Sequence, residues 1–230
     1  ATFAERFRAV FNPTPFPWQV ALYDHFVANT VPSVATLPTG LGKTSIIALW
    51  LLARLVNPKL PRRLVYVVNR RTVVDQTTRE GERLVTKLPE VALAVSTLRG
   101  QFVDNRAWSA EPSRPAVICG TVDMIGSRLL FSGYGASFRT RPLYAGFLGQ
   151  DALFVHDEAH LEPAFQKVLE RVQATPREDG DPWPIRVMAL SATARHTATD
   201  AFELSPADHA DRVVKQRISS TKRLHLHPHG

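Results

Sequence analysis

At 230 residues with 44% hydrophobic content, the chain can bury a sizeable core and fits one large domain, alone or with a short appendage. Lysine and arginine number 28 against 21 acidic residues, and the resulting +7 favours a polyanionic partner without defining one. No apolar run approaches the length of about 18 residues that a membrane span needs. The first ten residues mix charge with aromatics, and the single Cys119 excludes an internal disulfide and a cysteine-based metal cluster. A soluble, cytoplasmic protein with no membrane partner is expected.

In chain order, Phe16-Pro17-Trp18-Gln19 precedes the first helix, and short β-branched runs then recur at 33–37, 64–68, 92–96, 116–119, 152–156 and 186–190. Helical patterns at 44–56, 72–87, 122–131 and 163–173 alternate with them. Strands alternating with helices predict an α/β fold of three layers with a mainly parallel sheet. Residues 105–115 and 173–184 are rich in Pro, Asp, Glu and Ser and are expected as surface loops. Ligands of such sheets bind beyond the carboxyl ends of the strands, which directs attention to the residues just after each run.

After the first run comes Pro38-Thr39-Gly40-Leu41-Gly42-Lys43-Thr44-Ser45 and then an apolar helix, the strand, loop and helix context of a phosphate-binding P-loop. Gly40 and Gly42 allow backbone N–H groups to turn inward around phosphates. Lys43 reaches the β and γ oxygens, and the Thr44 hydroxyl is offered to Mg²⁺. Thr39, Gly40, Leu41, Gly42, Lys43, Thr44 and Ser45 are therefore candidate contacts to ATP. The strict pattern has glycine where Leu37 stands.

The fifth run leads directly into Asp157-Glu158-Ala159-His160, which delivers two carboxylates to the same sheet edge. Asp157 is placed to hold Mg²⁺ and Glu158 to orient and deprotonate the attacking water. His160 is expected to sense the γ-phosphate region. His156-Asp157 also spells the dipeptide of metal phosphohydrolases, but the further His and Asp ligands that chemistry needs are not apparent. Ser191-Ala192-Thr193 follows the last run as the third motif in order.

With these motifs in this order, the chain resembles superfamily 2 helicases of the DEAH type, and more narrowly the helicase-nuclease of type I CRISPR interference systems. The narrower resemblance rests on Phe16 to Gln19, on Val67-Val68-Asn69-Arg70-Arg71-Thr72-Val73-Val74-Asp75-Gln76, on Gly120-Thr121-Val122-Asp123, and on Asp157 to Pro163. It implies a RecA-like P-loop NTPase fold in which Gln19 reads the adenine and Ser191 and Thr193 couple hydrolysis to movement. Arg70, Arg71, Thr72, Thr97, Arg99, Gly100 and Thr121 would hold single-stranded DNA through its phosphates, as a motor indifferent to sequence requires.

The resemblance further implies an ATP-binding domain over 1–212, a linker over 213–230, and a second RecA-like lobe that is missing here. Alone, the chain is expected to bind nucleotide weakly and to hydrolyse it slowly, because the second lobe supplies an arginine worth about 10³ to 10⁵ in rate. An HD-type nuclease domain and an RNA-guided surveillance complex are the implied partners. Another superfamily 2 motor, acting on RNA or as a restriction-type translocase, shares all the core motifs. So, in isolation, does a non-catalytic nucleotide- or DNA-binding module. Residues 131–144, with Tyr134, Phe138, Arg139, Arg141 and Tyr144, read as a buried loop anchored by aromatics, with base stacking as the alternative. His225, His227 and His229 lie in the tail, where Pro228 interrupts their alternation.

Overall fold

Six strands read as nearly unbroken apolar runs because both faces of their sheet are covered. The computed structural model describes residues 2–11, 13–98, 107–133, 135–175, 183–192 and 200–220. Its first half runs α1 (Phe3–Phe11), α2 (Pro17–Val27), β1 (Val34–Thr36), a 3₁₀ turn (Lys43–Ser45), α3 (Ile46–Val56), β2 (Arg63–Val68), α4 (Arg71–Lys87) and β3 (Ala94–Leu98). Then come α5 (Ala107–Ala110), β4 (Ala116–Thr121), α6 (Val122–Leu129), α7 (Arg141–Gly149) and β5 (Ala152–His156). The order closes with α8 (Pro163–Ala174), β6 (Arg186–Ser191), α9 (Pro206–Ala210) and α10 (Arg212–Ser219).

Every strand pair is parallel, in the order β1-β6-β5-β2-β4-β3. Side chains of β2 divide by alternation: Leu64, Tyr66 and Val68 join the core built with α1 to α4, while Val65 and Val67 join that built with α6 to α8. The sheet is thus the middle of three layers, the expected α/β fold. Trp18 and Trp50 are fully buried in the first core, and Trp50 Nε1 donates to the Pro61 carbonyl at 2.8 Å. No helix among the described residues is long and apolar enough to cross a membrane.

Several elements depart from the sequence reading. The stretch at 16–19 opens α2 rather than preceding the first helix, because α1 comes earlier and packs Phe7 and Val10 into the core. Residues 107–110 form α5, not a bare loop, since burying Trp108 requires ordered backbone. In 131–144, Tyr144 is buried within α7 as an anchor, whereas Phe131 and Phe138 are 60% and 85% exposed, so that stretch is only partly internal. The division expected at 212/213 falls inside α10, whose Val214 reaches the core. Phe202 bridges to Ala35 in parallel and adds a short pairing beyond β1. Tyr134, Arg99, Gly100, Thr193 and the three tail histidines lie outside the described residues.

Gly120, near the end of β4, explains one motif position by space alone. A Cβ there would lie 2.9 Å from Ile125 side-chain atoms and 3.1 Å from Leu98 Cβ, all in a closed core. Gly120→Ala should therefore lower stability by about 1–3 kcal/mol through overpacking. A urea midpoint equal to that of the unaltered chain would contradict this.

Candidate nucleotide and nucleic-acid sites

Because all strands run parallel, every carboxyl end emerges on one edge of the sheet, and the motifs divide along it. The loop after β1, the end of β6 and the turn after β5 come from the three strands of one half. Arg70 to Thr72 follow β2, and Thr97 and Thr121 lie at the carboxyl ends of β3 and β4, the three strands of the other. The two halves meet where Asp157 N donates to the Val67 carbonyl at 2.9 Å.

In the phosphate loop Gly40 and Gly42 adopt φ of +92° and +78°, a left-handed backbone that residues with a Cβ rarely tolerate. A Cβ built at either position meets no atom within 4 Å, so conformation rather than crowding demands glycine, and an open cradle is left. Leu37 and Leu41 are fully buried and contribute backbone to the loop while their side chains fill the core. Leu37 N donates to the Ser191 carbonyl at 2.9 Å, which ties the start of the loop to the end of β6. Thr39 is exposed, and Thr44 lies half-buried in the 3₁₀ turn that replaces the expected first turn of helix.

Lys43 crosses from this loop to the acidic pair. Its Nζ donates to Glu158 Oε1 at 2.9 Å and lies 3.9 Å from Asp157 Oδ1. His160 Nδ1 stands 3.5 Å from the other Glu158 oxygen. Glu158 takes φ +53° and ψ +43°, a left-handed conformation that a non-glycine residue keeps only when its surroundings impose it. Tyr66 donates its hydroxyl to Asp157 Oδ2 at 3.3 Å, and burial raises the phenol well above its ordinary pKa, so it remains a donor. Asp157 Oδ1 is buried and has no hydrogen-bond partner. Burial raises the Asp157 carboxyl above its ordinary pKa; Lys43 opposes that shift and Glu158 reinforces it.

For the Mg²⁺ expected from the sequence, the donors at this edge are of the right kind. A hard cation takes oxygen ligands and keeps several waters, binding through one or two carboxylates plus phosphates. The unpartnered Asp157 oxygen and the Thr44 hydroxyl are oxygen donors on the two loops that Lys43 joins. His156, by contrast, turns toward α8, where Nδ1 bonds Gln166 Oε1 at 2.8 Å.

Beside the loop, Gln19 is buried and doubly engaged: its Oε1 accepts from Phe16 N and its Nε2 donates to Ser45 Oγ, both at 2.8 Å. It lines a cavity of about 470 Å³ with Phe11, Phe16, Leu41, Thr44 and Arg217, a size ordinary for a small-molecule ligand. Sequence reasoning did not find Arg217 or Tyr66. Tyr66 left one trace, as the one side chain with a polar atom within the apolar run 64–68.

On the other half of the edge Arg70, Arg71 and Thr72 are exposed where α4 begins. Thr121 precedes α6 without capping it by its side chain, and the Thr97 hydroxyl bonds that of Thr78 at 3.0 Å. Arg62 and Arg63 belong to the opposite edge: Arg62 N donates to Asp151 Oδ1 at 2.8 Å, and Arg63 Nη1 donates to the Gln150 carbonyl at 2.9 Å. That basic pair is structural support under the sheet.

A parallel three-layer fold with a glycine-turned loop, a lysine and an acidic pair on one edge defines a nucleotide-binding lobe of RecA-like build. A family model described as DEAD/DEAH box helicase matches residues 17–201, and the chain belongs to that family. No curated protein sequence matches it. The helicase domain of Pyrococcus furiosus Hef is similar in structure, with a TM-score of 0.59 at 19% identity over 90% of this chain and 40% of that one. The DUF1998 helicase MrfA bound to DNA and AMPPNP gives 0.58 at 15%, over 94% of this chain and 28% of that one. MrfA bound to DNA gives 0.60 at 18%, over 82% and 25%. At these identities the likeness concerns the fold, and this chain spans less than half the length of each.

The raised Asp157 pKa has a measurable consequence. A carboxyl whose folded pKa lies above its unfolded value destabilises the fold once ionised, and the penalty fades as pH falls through the raised value toward 3.8. Asp157→Asn should thus raise Tm at pH 7 by about 2 °C, with the gain disappearing in acid. A variant that melts lower at pH 7 would contradict the sign.

Proposed function

We propose that this chain is the ATP-binding lobe of a superfamily 2 motor that moves on single-stranded DNA, and that it serves CRISPR-type interference against invading DNA. The observation that carries the nucleotide half of this reading is Lys43 held between Glu158 and the unpartnered oxygen of Asp157, directly beside the Gly40 to Gly42 cradle. Family membership supports the motor class.

Phosphoryl transfer asks the protein mainly for positioning and charge neutralisation. Backbone N–H groups of the loop around Gly40 and Gly42 cradle the phosphates, and Lys43 meets the β and γ oxygens. Phosphate oxygens entering the cradle compete with Glu158 for Lys43. As Lys43 turns to them, the Glu158 carboxylate becomes available to orient water and accept its proton. Asp157 and Thr44 would hold Mg²⁺, which supplies Lewis-acid neutralisation of charge on the phosphates. Tyr66 fixes the Asp157 carboxylate from below. Ser191, through its carbonyl on Leu37 N, ties β6 to the loop, a direct path by which the state of the nucleotide reaches the segment after β6.

Arg70, Arg71, Thr72, Thr97 and Thr121 gather on the adjoining half-edge, where the positive N-terminal ends of α4 and α6 also open. Phosphate contact of this kind is independent of base sequence. Both MrfA structures are bound to DNA, which supports DNA as the substrate. The CRISPR assignment rests on the wording of the four stretches from Phe16 to Pro163. It brings a second RecA-like lobe, an HD-type nuclease and an RNA-guided surveillance complex as partners.

In the full-length protein, Lys43→Ala and Glu158→Gln should each lower ATP hydrolysis by about 10²-fold or more while DNA binding persists. Single-stranded DNA, not RNA, should stimulate hydrolysis by the unaltered protein; stimulation by RNA alone would assign the lobe to an RNA motor. If about four phosphates are neutralised, the logarithm of DNA affinity should fall by roughly 3 per tenfold rise in salt. An affinity indifferent to salt would remove the arginines from the interface.

A further inference from the structure

The sheet edge opposite the phosphate loop has a recess of its own, where β2 begins beside α7. Tyr144, Ala145 and Leu148 are the buried side of α7, while Leu143, Gly146, Phe147 and Gln150 recur at helical spacing along another side and line a cleft of about 420 Å³. Leu143 is 48% exposed, and a Cβ on Gly146 would meet no atom within 4 Å, so the groove is open at its middle. Phe147 is held by Arg63, whose guanidinium lies 5.0 Å from the ring centre. Trp183, whose carbonyl accepts from Asp151 N at 2.8 Å, lines this cleft and a neighbouring one of about 270 Å³. The charge there is one-sided. Arg62 and Arg63 line the first cleft, Lys59 and Arg186 the second, and Asp151, common to both, is the one carboxylate among the lining residues. It is already engaged, with Arg62 Nε at 3.4 Å. Burial holds the Arg63 guanidinium below its ordinary pKa; Asp151 opposes that shift, and Arg62 and Arg54 reinforce it. An added anion would relieve such a cluster.

We propose that this groove docks an acidic amphipathic helix of a partner protein, its apolar stripe against Leu143, Gly146 and Phe147 and its carboxylates toward Arg62. Side chains three and four residues apart form the ridges against which a second helix packs, and a glycine between them lets that helix come close. The partly exposed Arg62 offers a planar fork that a carboxylate can meet with two parallel bonds. A second copy of this chain, at +7, would bring further positive charge to the cluster. A nucleic-acid strand would supply negative charge but leave the apolar stripe unmatched. Because the strands are parallel, this edge lies away from the phosphate loop and from Arg70 to Thr72, so a partner held here leaves both unobstructed. The inference stands apart from the nucleotide reading and does not depend on it. Clefts of this size fit a transient complex.

Fluorescence anisotropy of the chain with a labelled helical peptide, bearing a leucine stripe flanked by glutamates, tests the groove beside the same peptide with glutamines for glutamates. The glutamate peptide should bind, and the glutamine peptide about tenfold more weakly. Gly146→Leu fills the groove from an exposed helical position, and Arg62→Gln removes a charge while sparing the backbone bond to Asp151. Each should weaken the glutamate peptide about tenfold or more and leave the circular dichroism spectrum unchanged. No binding of that peptide, equal binding of the two, or binding indifferent to Gly146→Leu overturns the proposal. A single-stranded oligonucleotide that displaces the peptide and is itself weakened by Arg62→Gln would make this a nucleic-acid surface. A dimer in sedimentation that Gly146→Leu disperses would make it a contact between copies. Peptide binding seen only after Glu178, Asp179 and Asp181 are made neutral would give the groove to the chain's own acidic run; any of these three results also overturns it.

Discussion

One lysine organises the site. Lys43 stands on a loop whose backbone only glycine adopts easily, and it reaches across the sheet edge to two carboxylates brought there by β5. Removing two charges from water is costly, and their attraction offsets the cost only when geometry and further hydrogen bonds are good. The pair keeps its geometry because β1 and β5 are held in register through β6, and because Leu37 and Asp157 both bond neighbouring strands through their backbones. Asp157 is the member least at ease, buried with one oxygen unpartnered. An enzyme site commonly carries such a local cost to stability, since the arrangement that favours a ligand is not the one that favours the empty fold.

The division of the sheet edge follows from strand order alone. With β6 and β5 inserted between β1 and β2, the groups proposed to meet the phosphates of a nucleotide and those proposed to meet the phosphates of a polymer occupy separate halves. Asp157 lies at the seam, its carboxylate turned to Lys43 and its N–H bonded to Val67 of β2. A shift in one half therefore has a one-residue path to the other.

How much of this could be read beforehand depended on the range of the interactions. The P-loop and the acidic pair were legible because each is a local pattern at a strand end, and the six strands because parallel burial makes them apolar throughout. The helix α1 was legible in principle, since Phe3, Phe7 and Val10 recur at helical spacing, but it was passed over. Arg217 was not legible. It meets Gly40 across 177 residues, as Asp208 meets Trp18 across 190, and no local periodicity encodes such a meeting. Tyr66 fell between these cases: its strand was evident, but its reach to Asp157 depends on the β2–β5 pairing. The exposure of Phe138 was misjudged for the opposite reason, because aromatic character in the chain does not say which rings find a pocket.

The small pairing of Phe202 with β1 carries a meaning apart from the nucleotide. A three-residue edge strand in a parallel sheet presents open N–H and C=O groups, a template on which another chain can add. Thr36 N donates to the Phe202 carbonyl, and Phe202 N to the Val34 carbonyl, each at 2.8 Å, while Asp200 fastens the same segment to Ser33. The returning chain thus occupies the positions an intruding strand would need. The lateral edge of the sheet beside the phosphate loop is thereby covered by the chain's own backbone, so the strand that leads into the ligand loop has its outer hydrogen-bonding groups already engaged.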